Sequence, residues 1–444
     1  MLYFNLKKAL ASPLQGRETN VFKRFPQFVF AMTPFDYIDR HSKQMLKFLG
    51  DIIRVPTVNP PGDKYDQMTA LLSSKLTSLG LTTKRYSVPK SILKDALAPE
   101  FLNYPRFNVL GKLKGKNSKR TVHFNAHYDV VPVSGVWKHG GPFSGKVSGG
   151  HIYGRGTADM KGSIASLTLA LESLAATKIK PNLNVEVSLT ADEETDSALG
   201  TGWMIHNTPI NPNYAIVMEG GEKDMVCCGH GGVIWLEVAV HGKPAHGSMP
   251  QNGINALEKM SALILALEDY KKRLRKTSFK TPSGDIRYPT INVGGVFESG
   301  PGGKINTVPS YGSFSIDRRV LAVENHPSAE KDLRNFLISA AKKIPQCCIT
   351  IRKISENYAC FTPPTHPFFK LVGRSLEKVR KEPAVFSVST GFNDMQFFAS
   401  ELKIPTVGYG PGGDDYHAVN EKVSVNDLVD SAKIYADILT SFEG

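Results

Sequence analysis

Five short stretches between residues 123 and 421 concentrate histidine and acidic side chains: HFNAHYDVVP (123–132), GRGTADMKGS (154–163), SLTADEETDS (188–197), IVMEGG (216–221) and GPGGDDYHAVNE (410–421). Imidazoles mixed with carboxylates are the ligand set that suits divalent zinc, cobalt or manganese. His127 and Asp129 stand two apart at the end of an apolar strand pattern, and period-two geometry puts both side chains on one face. A metal-bound imidazole usually has its second nitrogen held by an acceptor, and Asp129 is the acceptor at hand. Taken alone, such a pair more often marks a surface turn. GRGTADMKG resembles a dinucleotide fingerprint but fails it, because Asp159 takes the place of the third glycine and no long buried strand precedes it. Its glycines instead permit a tight turn that presents Asp159, a carboxylate able to bridge two metals ~3.5–4 Å apart. The competing role for Asp159 is N-cap of a helix over 163–177.

Glu193 and Glu194 follow the strand pattern NVEVSLTA directly. Adjacent acids often mark a solvated helix start. The catalytic reading divides them: one binds metal and its neighbour stays free as general base for a water whose pKa the metal lowers. Glu219 closes the apolar run YAIVM and supplies a further carboxylate, and His417 lies in a Gly- and Asp-rich loop near the C-terminus. Asp414 and Asp415, beside Gly412 and Gly413, read as turn formers rather than ligands. Together the five stretches point to a metal-dependent hydrolase.

These residues need strands to carry them. Runs at 108–113, 121–126, 184–191 and 214–219 read as strands, and 163–177 is strongly helical, as are the stretches from residue 38 to Pro56 and up to Gly80. Strands alternating with helices predict an α/β layer with a mostly parallel sheet, and the polar motifs fall where such sheets bind ligands, at strand C-terminal ends. From about residue 230 the order becomes β-α-β-β-α-β, a ferredoxin-like unit that interrupts the first fold before it resumes near 356. The expected division is an N-terminal extension (1–37), a catalytic domain in two parts (38–229 and 356–444) and an α+β insert (230–355).

The 444 residues carry 54 Lys and Arg against 41 Asp and Glu, a net charge of +13. The basic residues are dispersed, so the charge reads as solvated surface and predicts no nucleic-acid partner. Nothing approaches the ~18 consecutive apolar residues of a membrane span. The 5 cysteines include two adjacent pairs, which fits neither a disulfide framework nor a CxxC zinc site and predicts reduced thiols in the cytoplasm. The first 31 residues are basic and resemble a transit peptide only weakly; a plain extension, or a start at Met32, is the expectation.

With all five stretches in order, the chain resembles the M20 family of metallopeptidases and deacylases over about residues 38–444. The resemblance implies a zinc-peptidase-like catalytic domain with a dimerisation or lid insert, two divalent metal ions (zinc, with cobalt or manganese as alternatives) and a homodimer. It implies His127 and Glu219 on one ion, Glu194 and His417 on the other, and Asp159 bridging. Glu193 matches the general base and Asp129 the residue that orients His127. HGKPAHGSMPQNGINA matches a signature of the insert, so His246 corresponds to the histidine that reaches a partner's active site and stabilises the oxyanion. Asn306 and Arg318, in KINTVPSYGSFSIDRR, match positions that contact a substrate carboxylate. Two departures stand out: Phe392 and Asn393 replace small hydroxyl residues in STGFNDMQFF (389–398), and Gly220 and Gly221 follow Glu219 where relatives have a Pro-containing turn. The implied substrate is a small N-acyl amino acid, with a dipeptidase or carboxypeptidase as the alternative. A non-catalytic, nucleic-acid-binding protein is the reading from another class, and salt-sensitive DNA binding would mark it.

Overall fold

The computed structural model describes residues 32–221, 224–298, 300 and 303–442. The expectations for residues 1–31 lie outside the described residues. The helix Pro34–Ile53 starts where Thr33 and Asp36 close a reciprocal capping box with Pro34 in the first turn. Its buried stripe of Ile38, Met45, Leu49, Ile52 and Ile53 packs against the helix Gly162–Ala176. That second helix is buried almost all round, which its Ile, Leu, Ala and Ser sequence allows, and the C-terminal helix Val425–Ser441 flanks it.

These helices cover one face of a nine-stranded sheet. The strands Leu183–Thr190, Asn117–His127, Tyr214–Val217 and Thr406–Gly408 lie side by side and run parallel. The flanks bring in antiparallel pairs: Thr82–Ser87 pairs with Phe107–Leu113, which pairs with Leu183–Thr190, and Met225–His230 turns against Thr406–Gly408, while Val385–Ser389 runs parallel to Met225–His230. The sheet is therefore mixed, parallel at its centre, with antiparallel pairs joining it on both flanks. Smaller apolar clusters beneath Thr201–Asn207 and 397–401 close the opposite face.

A second, four-stranded sheet holds Thr290–Glu298, Tyr311–Val320, Gly232–His241 and Cys348–Asn357 in that order, all antiparallel. With the helices Ala256–Leu274 and His326–Lys343 packed on it, this is the ferredoxin-like arrangement, and it has its own core around Leu236, Leu263, Phe314 and Leu333. A small third sheet ties Lys422–Ser424 to His151–Tyr153 and so binds the chain's C-terminal part to its first third. No helix among the described residues is long and apolar enough to cross a membrane.

Candidate metal centre

Register brings the acidic motifs together. His127 pairs with Thr190, and Asn125 with both Ser188 and Val217, so the three parallel strands end level. His127 is the last residue of its strand, Glu193 and Glu194 form a single turn just past Thr190, and Glu219 lies two residues past Val217. His417 comes from the loop after the fourth parallel strand, Thr406–Gly408. Asp159 arrives from the kinked turn Thr157–Lys161, where it has an extended rather than helical backbone. It does not cap the helix that follows.

Asp159 sits between the two imidazoles. Its Oδ1 is 2.9 Å from His127 Nε2 and its Oδ2 3.1 Å from His417 Nε2. His417 Nε2 also lies 3.2 Å from Glu194 Oε2. Two ligand groups result, His127–Asp159–Glu219 and Asp159–Glu194–His417, each with its donor atoms within 4.8 Å of one another. Glu193 belongs to neither; its Oε2 is 3.9 Å from His127 Nε2. Asp414 and Asp415 are outside as well, exposed and near Lys422.

The electrostatics are those of crowded, desolvated acids. Burial pushes Glu193 and Glu219 well above the usual carboxylate range, with repulsion from Glu219 acting on Glu193 and from Asp159 on Glu219. Burial raises Glu194 too. Burial would also raise Asp159, but hydrogen bonds from His127 and His417 outweigh it and hold the carboxyl below its ordinary range. The same bonds lift His417 to about 10, and His127 stays well above its ordinary value although burial opposes it. Glu219 Oε2 is buried with no hydrogen-bond partner, an orphan acceptor that a bound cation would satisfy. Imidazole and carboxylate donors grouped around a shared carboxylate fit divalent cations of the zinc type.

Asp129 is fully buried and does more than touch His127, whose Nδ1 is 3.1 Å from the Asp129 carbonyl. Its carboxylate accepts the backbone N–H groups of Glu193 (3.2 Å) and Glu194 (3.3 Å), fixing the turn that carries both acids. Behind it stands a network that sequence reasoning missed. Asn59 Nδ2 lies 3.1 Å from Asp129 Oδ2 and 3.0 Å from Asp192 Oδ1, and Arg106 Nε donates to Asp192 Oδ2 at 2.7 Å. Glu421 was missed as well. Fully buried, its Oε1 accepts the backbone N–H groups of Gly156, Ala158 and Asp159 at 2.9–3.2 Å, and its Oε2 accepts from Arg155 at 2.5 Å. It closes the His417 stretch, so a carboxylate four residues past a candidate ligand was the available signal.

The remaining candidates lie on the second sheet. His246 and Asn306 meet there: Gly247 N donates to the Asn306 carbonyl at 2.7 Å, and His246 Nδ1 is 2.7 Å from Ser248 Oγ. Both are exposed, and neither belongs to the two ligand groups. Arg318 is buried on the helix-facing side of its strand, with its guanidinium on Glu324 Oε1 (2.8 Å) and the Arg319 carbonyl. The structure does not bring Arg318 to the ligand groups; its neighbour Arg319 is exposed and paired with Asp317.

A profile of peptidase family M20/M25/M40 matches residues 123–441. The chain belongs to this family. It is 26% identical over 426 residues to an uncharacterized metallohydrolase of Methanococcus maripaludis, covering 89% of this chain and 98% of that protein. It is 27% identical over 407 residues to a succinyl-diaminopimelate desuccinylase of Bradyrhizobium, covering 88% and 97%. Among solved structures, an M20 metallo-carboxypeptidase of Sulfolobus solfataricus shares the fold with a TM-score of 0.68 at 22% identity, over 89% of this chain and 98% of the other. This M20 protein is therefore a metal-dependent hydrolase acting on amide bonds.

Proposed function

We propose that this M20 hydrolase cleaves the amide bond of an N-acyl amino acid, in the manner of an acetylornithine deacetylase or a succinyl-diaminopimelate desuccinylase, with two divalent cations, zinc in the first place. The observation that supports this most is Asp159, shared by two ligand groups and facing a histidine with each oxygen, while Glu193 stands outside both groups. His127 and Glu219 would hold one cation, Glu194 and His417 the other, and Asp159 both. When bound, the cations polarise the scissile carbonyl and lower the pKa of water from ~15.7 towards ~7.

The chain's own residues do the rest. Glu193 takes a proton from the water as its oxygen joins the acyl carbon, and returns it to the amine nitrogen as the C–N bond breaks. Burial that disfavours a charged Glu193 also suits it to hold that proton between the two steps. Asp129 keeps Glu193 and Glu194 in place through their backbone N–H groups. His246, supplied by a second copy of the chain, would donate to the developing oxyanion. The free thiols fit a reducing compartment such as the cytoplasm.

The test is release of primary amine from N-acetyl-ornithine, N-succinyl-diaminopimelate, further N-acyl amino acids and dipeptides, by zinc- or cobalt-loaded and by chelated protein. Metal-dependent cleavage of an acyl amino acid supports the reading. Cleavage of dipeptides alone moves the chain to the peptidase branch, where the Sulfolobus carboxypeptidase stands. No cleavage by protein that binds no metal overturns the ligand assignment.

A further inference from the structure

A cavity of about 110 Å³ opens beside Glu219, walled by Gly220, Gly221, Cys227, Ser389 and Asn393. A water takes ≈ 30 Å³, so the space suits a group of a few heavy atoms, the size of a carboxylate with its methylene. The hairpin Phe279–Lys280 with Ile286–Arg287 reaches the strand Val385–Ser389, whose last residue is part of the cavity wall. Phe279 packs edge-on to Phe361, and Ser283 Oγ is 3.5 Å from Ser387 Oγ. At the hairpin's end Arg287 donates one N–H to the Ser389 carbonyl at 3.0 Å.

Arg287 differs from the buried arginines, which already face carboxylates. Arg318 is spent on Glu324 and Arg106 on Asp192. Among the described residues Arg287 forms no ion pair, and the Ser389 carbonyl takes only part of its five N–H donors. Its charge reaches the opposite wall: burial pushes the Cys227 thiol up and Glu219 adds to this, while Arg287 pulls it down. A half-buried, unpaired guanidinium on the rim of an acid-rich site repels nothing anionic and offers a planar fork matched to a carboxylate.

The geometry points to Arg287 as a specificity residue that binds a substrate carboxylate at this cavity, so that the enzyme selects acyl amino acids carrying an additional acidic group. The inference rests on the amidohydrolase reading and adds the substrate's charge to it. The second carboxylate sits against the guanidinium and the 389–393 loop, leaving the amide over the metal ligands.

Paired substrates differing by one carboxylate test it: N-acetyl-glutamate against N-acetyl-glutamine, and N-succinyl- against N-butyryl-amino acids. For Arg287→Gln, kcat/KM on the acidic member of at least one pair should fall about ten- to a hundredfold, through KM, with the neutral member nearly unchanged and metal content intact. Arg287→Lys should recover part of that loss. Equal losses on both members, or no loss on either, would mean that Arg287 only tethers the hairpin to Ser389, and would overturn the assignment. If wild-type protein cleaves neither these pairs nor any acyl amino acid of the panel above, the acyl-amino-acid reading itself fails. Arg287 is then tested by calorimetric titration of succinate into zinc-loaded wild type and Arg287→Gln: weaker binding to the variant supports the site, and equal binding rejects it.

Discussion

Asp159 is flanked by two imidazoles whose hold on a proton is strengthened by hydrogen bonds to the acids around them. A cation binding there has to displace such a proton, so proton and metal compete for the same nitrogens. The sign follows directly. Because the folded protein holds these histidines above their ordinary value, raising the pH removes the competitor, and for His417 this continues to about pH 10. Apparent affinity for zinc should rise by about tenfold per pH unit for each proton displaced. Calorimetry in two buffers of different ionisation enthalpy would register the released protons; an affinity flat between pH 6 and 8 would mean the histidines are already neutral. Glu193 gives the complementary residue-scale prediction. Glu193→Gln keeps both ligand groups and removes the proton carrier, so kcat should drop by about 10²–10⁴ with metal content unchanged. A fully active variant would reject Glu193 as the base.

At the scale of elements, the centre exists because three parallel strands end level and two loops are pulled over them. The level ends were legible in the sequence: His127, the Glu193–Glu194 pair and Glu219 each close an apolar run, and period and chain order suffice to predict that. The braces were not legible, because they depend on contacts between distant segments. Asn59, Arg106 and Asp192 lie far apart in the chain with no local pattern to connect them, yet they form a buried network under the 193–195 turn. Glu421 is the sharper case. It clamps the backbone of the turn that presents Asp159 while lying on the same loop as His417, so it fixes the distance between two ligands from opposite parts of the chain. Glu421→Ala leaves Arg155 buried without its partner and three N–H groups without an acceptor. A stability loss of about 3–5 kcal/mol is expected from the broken buried pair, measured by urea denaturation. Glu421→Gln retains an acceptor oxygen for those N–H groups, should stay folded, and should weaken zinc binding by about 10–100-fold in a chelator competition. Unchanged zinc affinity in a folded Glu421→Gln protein would reduce Glu421 to a purely structural brace.

At the scale of the whole molecule, the β-α-β-β-α-β insert was readable because each of its elements is long and amphipathic, and its strands fall into the ferredoxin-like order. The antiparallel flanks of the main sheet were not, since alternating strands and helices say nothing about direction at an edge. The hairpin at 279–287 escaped notice for a similar reason: its strands are two residues each, too short to show a period. The insert also bears on how many copies act together. Its strand Thr290–Glu298 ends the second sheet with an unpaired edge among the described residues, and Leu265, Val296, Phe297 and Ile305 are exposed on the same unit. An open edge flanked by apolar side chains favours pairing with another chain. We propose a two-fold dimer in which His246 of each copy serves the other's centre, and this can be decided by mixing inactive variants. Glu193→Gln lacks the base and His246→Ala lacks the oxyanion donor, so each homodimer should be nearly dead. In a mixed dimer acting across the two-fold, one site carries both defects, while the other has an intact Glu193 from one copy and an intact His246 from its partner. Random reassortment of equal amounts should therefore restore about a quarter of wild-type activity. If His246 acts on its own chain, or the protein is a single chain in solution, every site keeps a defect and mixing restores nothing.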